Sequence, residues 1–216
     1  AMSGTLKLRI LELPPIETNA YVLINESAGE AAVFDAPFGA RDEVEKLAQR
    51  FGAELTGLWL THGHWDHMLD AHAFNDDGIP VYAHKGDEFL INNPDSMAAF
   101  SIPGIEFEPA TINGYLEHGQ RVDIVGEEAK VLHVPGHSPG SVAFVFERLG
   151  WAISGDVVFA GSVGRTDFPG CSHEQLMESI REQILRLPDD MTLYPGHGPK
   201  TTVGKERSLN PFIRGA

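Results

Sequence analysis

The segment that most constrains this chain is Thr61-His62-Gly63-His64-Trp65-Asp66-His67, which places four potential metal ligands within six residues directly after the apolar run 55–60. In extended backbone, side chains two positions apart point the same way, so His62 and His64 can reach one cation. The turn that follows can aim Asp66 and His67 at a second. Gathering three imidazoles and a carboxylate away from water is costly unless a cation or full hydrogen bonding satisfies them. The run therefore selects folds in which a strand ends at a cluster of polar loops.

Three further candidates each stand just after a glycine, in Pro135-Gly136-His137, Ser154-Gly155-Asp156 and Pro195-Gly196-His197. Loops at strand ends let a rigid sheet hold ligands in register. Five histidines and two aspartates exceed what one tetrahedral ion takes, so two divalent ions are expected. Nitrogen and oxygen donors without thiolate suit zinc, with iron or manganese as alternatives. The economical allocation gives His62, His64 and His137 to one ion and Asp66, His67 and His197 to the other, with Asp156 bridging at the spacing of about 3.5–4 Å found in two-metal sites. The other histidines, His72, His84, His118, His133 and His173, are read as surface or core groups.

Apolar periodicity predicts strands over 6–13, 21–24, 31–34, 55–60, 81–83, 122–125, 130–134, 142–146 and 152–154. Helical spacing of Val44, Leu47, Ala48 and Phe51 predicts a helix over 41–51. A second is expected over 172–187, capped by Ser172, with Leu176, Ile180, Ile184 and Leu187 in its apolar stripe and Pro188 ending it. Helices interleaved with strands indicate a layered α/β fold. Residues 92–118, weakly patterned, are expected to form a long surface excursion.

With 216 residues, 42% of them apolar, the chain can build one core, and a single domain over residues 2–216 is expected. Acidic side chains number 31 against 16 basic ones, giving a formal charge of -15 without any Lys/Arg run, which argues against nucleic acid or an anionic membrane as partner. No apolar stretch is long enough to span a bilayer. Cys171 is the only cysteine, so no intrachain disulfide framework is available and a cytoplasmic location is expected.

The His-x-His-x-Asp-His run, followed by a separate His, Asp and His, resembles the metallo-β-lactamase superfamily over nearly the whole chain. That resemblance implies an αββα four-layer sandwich with the metals at one edge between two sheets. Within the superfamily the chain is similar to compact glyoxalase II-like proteins, through 161–170 (Gly-Ser-Val-Gly-Arg-Thr-Asp-Phe-Pro-Gly), through Tyr194-Pro195-Gly196-His197-Gly198-Pro199, and through the tail 201–212. This implies hydrolysis of a small-molecule thioester such as S-lactoylglutathione by a metal-bridged hydroxide. Asp66 would both hold the second ion and orient that hydroxide as a catalytic residue. Full-length glyoxalase II binds glutathione partly through an additional C-terminal helical domain. Here 19 residues follow His197 (216 − 197), so those contacts do not carry over, and loops such as 92–118 are expected to build the pocket.

Persulfide dioxygenases share much of the pattern and give the alternative, a mononuclear-iron enzyme acting on glutathione persulfide. In their last motif alanine typically follows the proline, where Gly196 stands here. Arg165, in the loop after Asp156, is a candidate to bind a substrate carboxylate, with an ion pair to Asp167 as the competing assignment. Phe100 and Phe107 are either pocket walls or packing anchors.

Overall fold

The computed structural model describes residues 6–215. Both ends of the expected domain, Met2 and Ala216, lie outside the described residues. Two six-stranded sheets face each other. The first runs in chain order through β1 (Leu6–Leu13), β2 (Thr18–Asn25), β3 (Glu30–Phe34), β4 (Glu54–Trp59), β5 (Val81–His84) and β6 (Gly114–Leu116). β1 to β3 are antiparallel neighbours, whereas β3 to β6 pair in parallel.

The second sheet contains β7 (Arg121–Ile124), β8 (Glu127–His133), β9 (Val142–Phe146) and β10 (Trp151–Gly155) as an antiparallel series. A small hairpin of β11 (Val158–Phe159) and β12 (Ser162–Val163) follows, before β13 (Thr192–Pro195) returns parallel to β10 and β14 (Thr201–Thr202) completes the edge.

Period-two alternation distributes the strands' side chains between layers. In β2 and β3, Tyr21, Leu23, Ala32 and Phe34 face the opposite sheet, where they meet Val131, Phe144, Phe146 and Ile153. Phe34 sits edge-on to Phe144 at 5.3 Å and to Phe146 at 6.1 Å, contacts worth about 1 kcal/mol each beyond the area they bury. The intervening Val22, Ile24, Ala31 and Val33 point outward onto α1 (Ala40–Arg50) and α3 (Ala71–Asp76). These strands are covered on both faces, which is why they read as nearly continuous apolar runs.

The outer face of the second sheet, Leu132, Val134, Ala143, Val145 and Ala152, is covered by Leu176 and Ile180 of α5 (His173–Glu182) and Val203 of α6 (Val203–Leu209). The layers are thus α, β, β, α, as the resemblance implied. Two short helices, α2 (Trp65–Met68) and α4 (Glu88–Asn92), lie at the edge where the polar loops gather. No helix among the described residues is long and apolar enough to cross a membrane.

Two sequence expectations need correction. The helix expected over 172–187 leaves α geometry at Gln183, and Ile184–Arg186 forms a 3-10 turn. The tighter winding buries Ile184 and Leu185 together, and Arg207 donates to the Leu185 carbonyl, one of the terminal carbonyls that have no helical amide to accept from. The excursion 92–118 is not wholly superficial. Pro94–Phe100 is a 3-10 helix with Met97 buried, Ala110 and Ile112 enter the first core, and Gly114–Leu116 adds a parallel strand beside β5.

Ser172 does cap α5, its hydroxyl accepting from the Gln175 amide at 3.2 Å. Ser172→Ala is expected to cost about 1 kcal/mol of unfolding free energy, visible as a lower urea midpoint at unchanged m-value.

Candidate metal centre

Strand direction explains why residues so distant in sequence meet. β3 and β4 are parallel neighbours, as are β10 and β13, so the C-terminal ends of each pair lie side by side on one edge. That edge receives His62 and His64 just past β4, Asp156 just past β10 and His197 just past β13. α2 begins after His64 and carries Asp66 and His67 in its only turn. His137 arrives from the loop between β8 and β9, where Gly136 at φ +138° packs against the backbone of α5; a Cβ there would lie 2.3 Å from the Leu176 Cα.

All seven sequence candidates converge. His62, His64 and His137 form one group able to hold a metal ion, and Asp66, His67, Asp156 and His197 form another. One carboxylate oxygen joins them. Asp156 Oδ2 lies 3.7 Å from His62 Nε2, 3.4 Å from His137 Nε2, 3.2 Å from His67 Nε2 and 3.4 Å from His197 Nε2. Asp66 Oδ2 lies 3.3 Å from His67 Nε2 and 3.0 Å from His197 Nε2. None of His72, His84, His118, His133 or His173 joins these groups; His84 and His133 instead stack on each other at 4.0 Å.

The outer nitrogens fix which ring atoms face inward. His137 Nδ1 donates to the Arg165 carbonyl at 2.7 Å and His197 Nδ1 to that of Glu17 at 3.2 Å, so each ring, when neutral, turns its Nε2 lone pair to the centre. His67 Nδ1 lies 2.8 Å from Asp35 Oδ2. The Thr61 hydroxyl donates to the same oxygen at 2.7 Å and so accepts from His62 Nδ1 at 3.0 Å.

Of the three buried side-chain polar atoms without a hydrogen-bond partner among the described residues, two lie at this centre, His62 Nε2 and Asp156 Oδ1. An unpaired buried lone pair costs on the order of 1–3 kcal/mol, a cost that a cation bound to these atoms would remove. In the first group the protonation states agree with that reading. Burial, then the neighbouring His67, holds His62 well below its ordinary pKa, and burial with His137 pushes His64 down to about 3. Burial opposes charge on Asp156 as well, yet the neighbouring His67, with His137 and His197 beside it, holds its pKa well below the ordinary carboxylate value. In the second group the balance is reversed: against burial, Asp156 and Asp66 raise His67 well above its ordinary pKa and His197 to about 10, so a divalent ion bound there would take the place of those protons.

Two acids that sequence reasoning missed hold the loops. Asp35, just past β3, accepts from the Thr61 amide at 2.8 Å besides its bonds to Thr61 Oγ1 and His67. Asp87 is fully buried and accepts from the Gly63 amide at 2.8 Å, the Gly140 amide at 2.6 Å and Ser138 Oγ at 2.6 Å, so one side chain joins the His62–His64 segment to the His137 loop. Asp35 carried a weak signal as an acid ending an apolar strand. Asp87, within Lys85-Gly86-Asp87, carried none. Thr18 was also missed; its hydroxyl donates to Asp66 Oδ2 at 3.0 Å.

Arg165 lies at the cavity wall, but its guanidinium makes a two-pronged pair with Asp167 at 2.6 and 2.7 Å and lies 4.2 Å over the Phe168 ring. Phe100 also reaches the cavity, whereas Phe107 packs against the cluster of Trp65, Leu69, Leu90 and Met97.

The sequence pattern of the metallo-β-lactamase superfamily matches residues 13–197. The chain belongs to that superfamily. It is 35% identical over 195 residues to the hydroxyacylglutathione hydrolase GloC of Haemophilus influenzae, covering 88% of this chain and 91% of that one. The crystal structure of BLEG-1 B3 metallo-β-lactamase superposes with a TM-score of 0.88 at 36% identity, over 97% of this chain and all (100%) of the other. TTHA1623, solved in a di-iron-bound form, gives 0.81 at 35% identity, over 95% of this chain and 100% of its own. Membership makes the protein a metallo-hydrolase-type enzyme whose His/Asp clusters are candidate metal sites.

Gly196 is fixed by crowding. A Cβ there would lie 2.0 Å from Asp156 Oδ1 and 2.6 Å from His67 Cε1. Gly196→Ala is expected to displace Asp156 from the second group and weaken that ion about 10- to 100-fold, read as a second, weaker metal step in a competitive chelator titration.

Proposed function

We propose that this protein is a dinuclear metal-dependent thioester hydrolase of the glyoxalase II type, with His62, His64 and His137 on one ion, Asp66, His67 and His197 on the other, and Asp156 shared. The observation that carries the reading is the position of Asp156 Oδ2, within 3.7 Å of an inward nitrogen from both groups. Bound divalent ions would supply Lewis acidity toward a carbonyl and lower the pKa of a shared water to about 7. Zinc is the first choice for His and Asp donors, and the di-iron form of TTHA1623 supports iron as an alternative.

The chain's own groups orient and shield. Thr18 donates to Asp66 Oδ2, which fixes the carboxylate so that its other oxygen can accept from the attacking water. Phe168 stands 4.8 Å from the His64 ring and, with buried Trp65, keeps bulk solvent from that side. No side-chain nucleophile is needed. Burial pushes the Cys171 thiol up to about 11, and its Sγ is turned to the His137 carbonyl at 2.7 Å. A thiolate with a conjugate pKa near about 8.5 leaves without a strong general acid. The cavity beside the centre, about 290 Å³, fits a small molecule. The net charge of -15 supports a small-molecule substrate over nucleic acid or an anionic membrane, and the lone Cys171 fits a cytoplasmic setting.

Gly196 favours this reading over a mononuclear persulfide dioxygenase, because alanine at that position would press on the shared carboxylate and on His67.

Metal-replete protein is expected to carry two ions per chain and to hydrolyse S-lactoylglutathione without consuming oxygen. Asp156→Ala should lower metal content and cut turnover by about 10³-fold or more. Elemental analysis, thioester hydrolysis, oxygen uptake on glutathione persulfide and β-lactam hydrolysis, run on one preparation, form the test. A single iron with oxygen uptake, preferential β-lactam cleavage, or undiminished turnover by the Asp156 variant would overturn the assignment.

A further inference from the structure

The walls of the cavity narrow the substrate further, on the premise that the centre hydrolyses thioesters. Apart from the candidate ligands, its sides come chiefly from Ile16, Trp65, Phe100, Phe159, Val163 and Phe168. They arrive from separate parts of the chain. Ile16 belongs to the turn between β1 and β2, Phe100 ends the 3-10 helix Pro94–Phe100, and Phe159 and Val163 flank the β11–β12 hairpin. Phe168 lies edge-on to Phe100 at 4.8 Å and to His64 at 4.8 Å, and Phe159 faces His197 at 6.1 Å. Apolar surface therefore begins immediately beside both metal groups. Ile16 and Phe100 remain 39% and 37% exposed at the mouth, where a substrate can cover them.

Charge is scarce on the same walls. Arg165 is the one lining residue with a permanent positive charge, and both prongs of its guanidinium are taken by Asp167, two residues away. A substrate carboxylate would have to displace a tethered carboxylate already in place, an exchange of like for like with little gain. Glutathione conjugates carry two carboxylates and an ammonium, each of which loses water on entering such a pocket unless it is paired.

The geometry points to thioesters with an apolar acyl group on an uncharged thiol as the preferred substrates, selected by the collar of Ile16, Phe100, Phe159, Val163 and Phe168. Water adds to the acyl carbon as the carbon–sulfur bond breaks, giving a carboxylic acid and a free thiol. Phe100 and Ile16 are the specificity-determining residues, since they form the part of the collar that only a bound substrate buries.

The test compares metal-replete protein on S-phenylacetyl-N-acetylcysteamine and on S-lactoylglutathione. The phenylacetyl thioester is expected to show a kcat/KM higher by about tenfold or more. Phe100→Ala should raise KM for it about tenfold with a much smaller change in kcat, and Phe100→Leu should restore most of that loss. Equal or better kcat/KM for S-lactoylglutathione overturns the selectivity while leaving thioester hydrolysis standing. Equal losses on both substrates in Phe100→Ala overturn the role of the collar. Failure to cleave either thioester removes the hydrolase reading itself.

Discussion

The arrangement on which the rest of this structure depends is one buried carboxylate, Asp156, held within 3.7 Å of the inward nitrogens of four histidines. Asp156 is 6% exposed, His62, His64, His67 and His137 are each 3% exposed or less, and inward-facing atoms of Asp156 and His62 have no hydrogen-bond partner. A protein interior seldom retains such a set, because unpaired lone pairs and buried charge both oppose folding. The sheets and loops must therefore bring the groups together against their own preference, and a divalent cation would relieve the unpaired atoms and the crowding together.

That assembly rests on contacts that do not involve the centre. The His197 loop is fastened to β2, with Asn19 N–H donating to Gly196 O at 2.8 Å, Tyr21 Oη to Pro195 O at 2.5 Å and Asn19 Nδ2 to Gly198 O at 3.0 Å. The Val142 amide donates to Thr61 O at 2.8 Å and so joins the two sheets at the ligand edge. Asp35 and Asp87 do the same for the histidine run from either side. Loops fixed in this way lose little further entropy on binding a cation, which is the advantage of building a site on strand ends instead of a mobile segment.

The candidate ligands were legible because metal chemistry uses few residue types at short spacing: His62 to His67 announce themselves, and the glycine before His137, Asp156 and His197 marks each junction. Strands were legible wherever one pattern dominated, as in β2, β4 and β9. What escaped was set by partners far along the chain. Asp87 is an acid in an unremarkable loop until Gly63, Ser138 and Gly140 close around it. β6 is three residues whose pairing depends on β5, and α5 gives way after Glu182 to a 3-10 turn in which Ile184 and Leu185 are buried. Arg165 shows the opposite limit. Its competing partner Asp167 was visible two positions away, yet only the fold could say that the two side chains meet.

The same edge must serve two solvents, and this shapes the loops differently on its two sides. Toward the sheets, every outer imidazole nitrogen named above finds an oxygen from Thr61, Asp35, Arg165 or Glu17, so the rings cannot swing when a cation arrives or leaves. Toward the cavity, aromatic and aliphatic side chains replace water beside the reacting atoms, and in that low-dielectric space charge stabilisation by bound ions is strongest. A polar wall there would offer more hydrogen bonds to a substrate but would also admit water that screens the ions. An apolar wall gives up those hydrogen bonds and would keep the field of any ion bound there, the balance that the proposed metal-dependent hydrolysis requires.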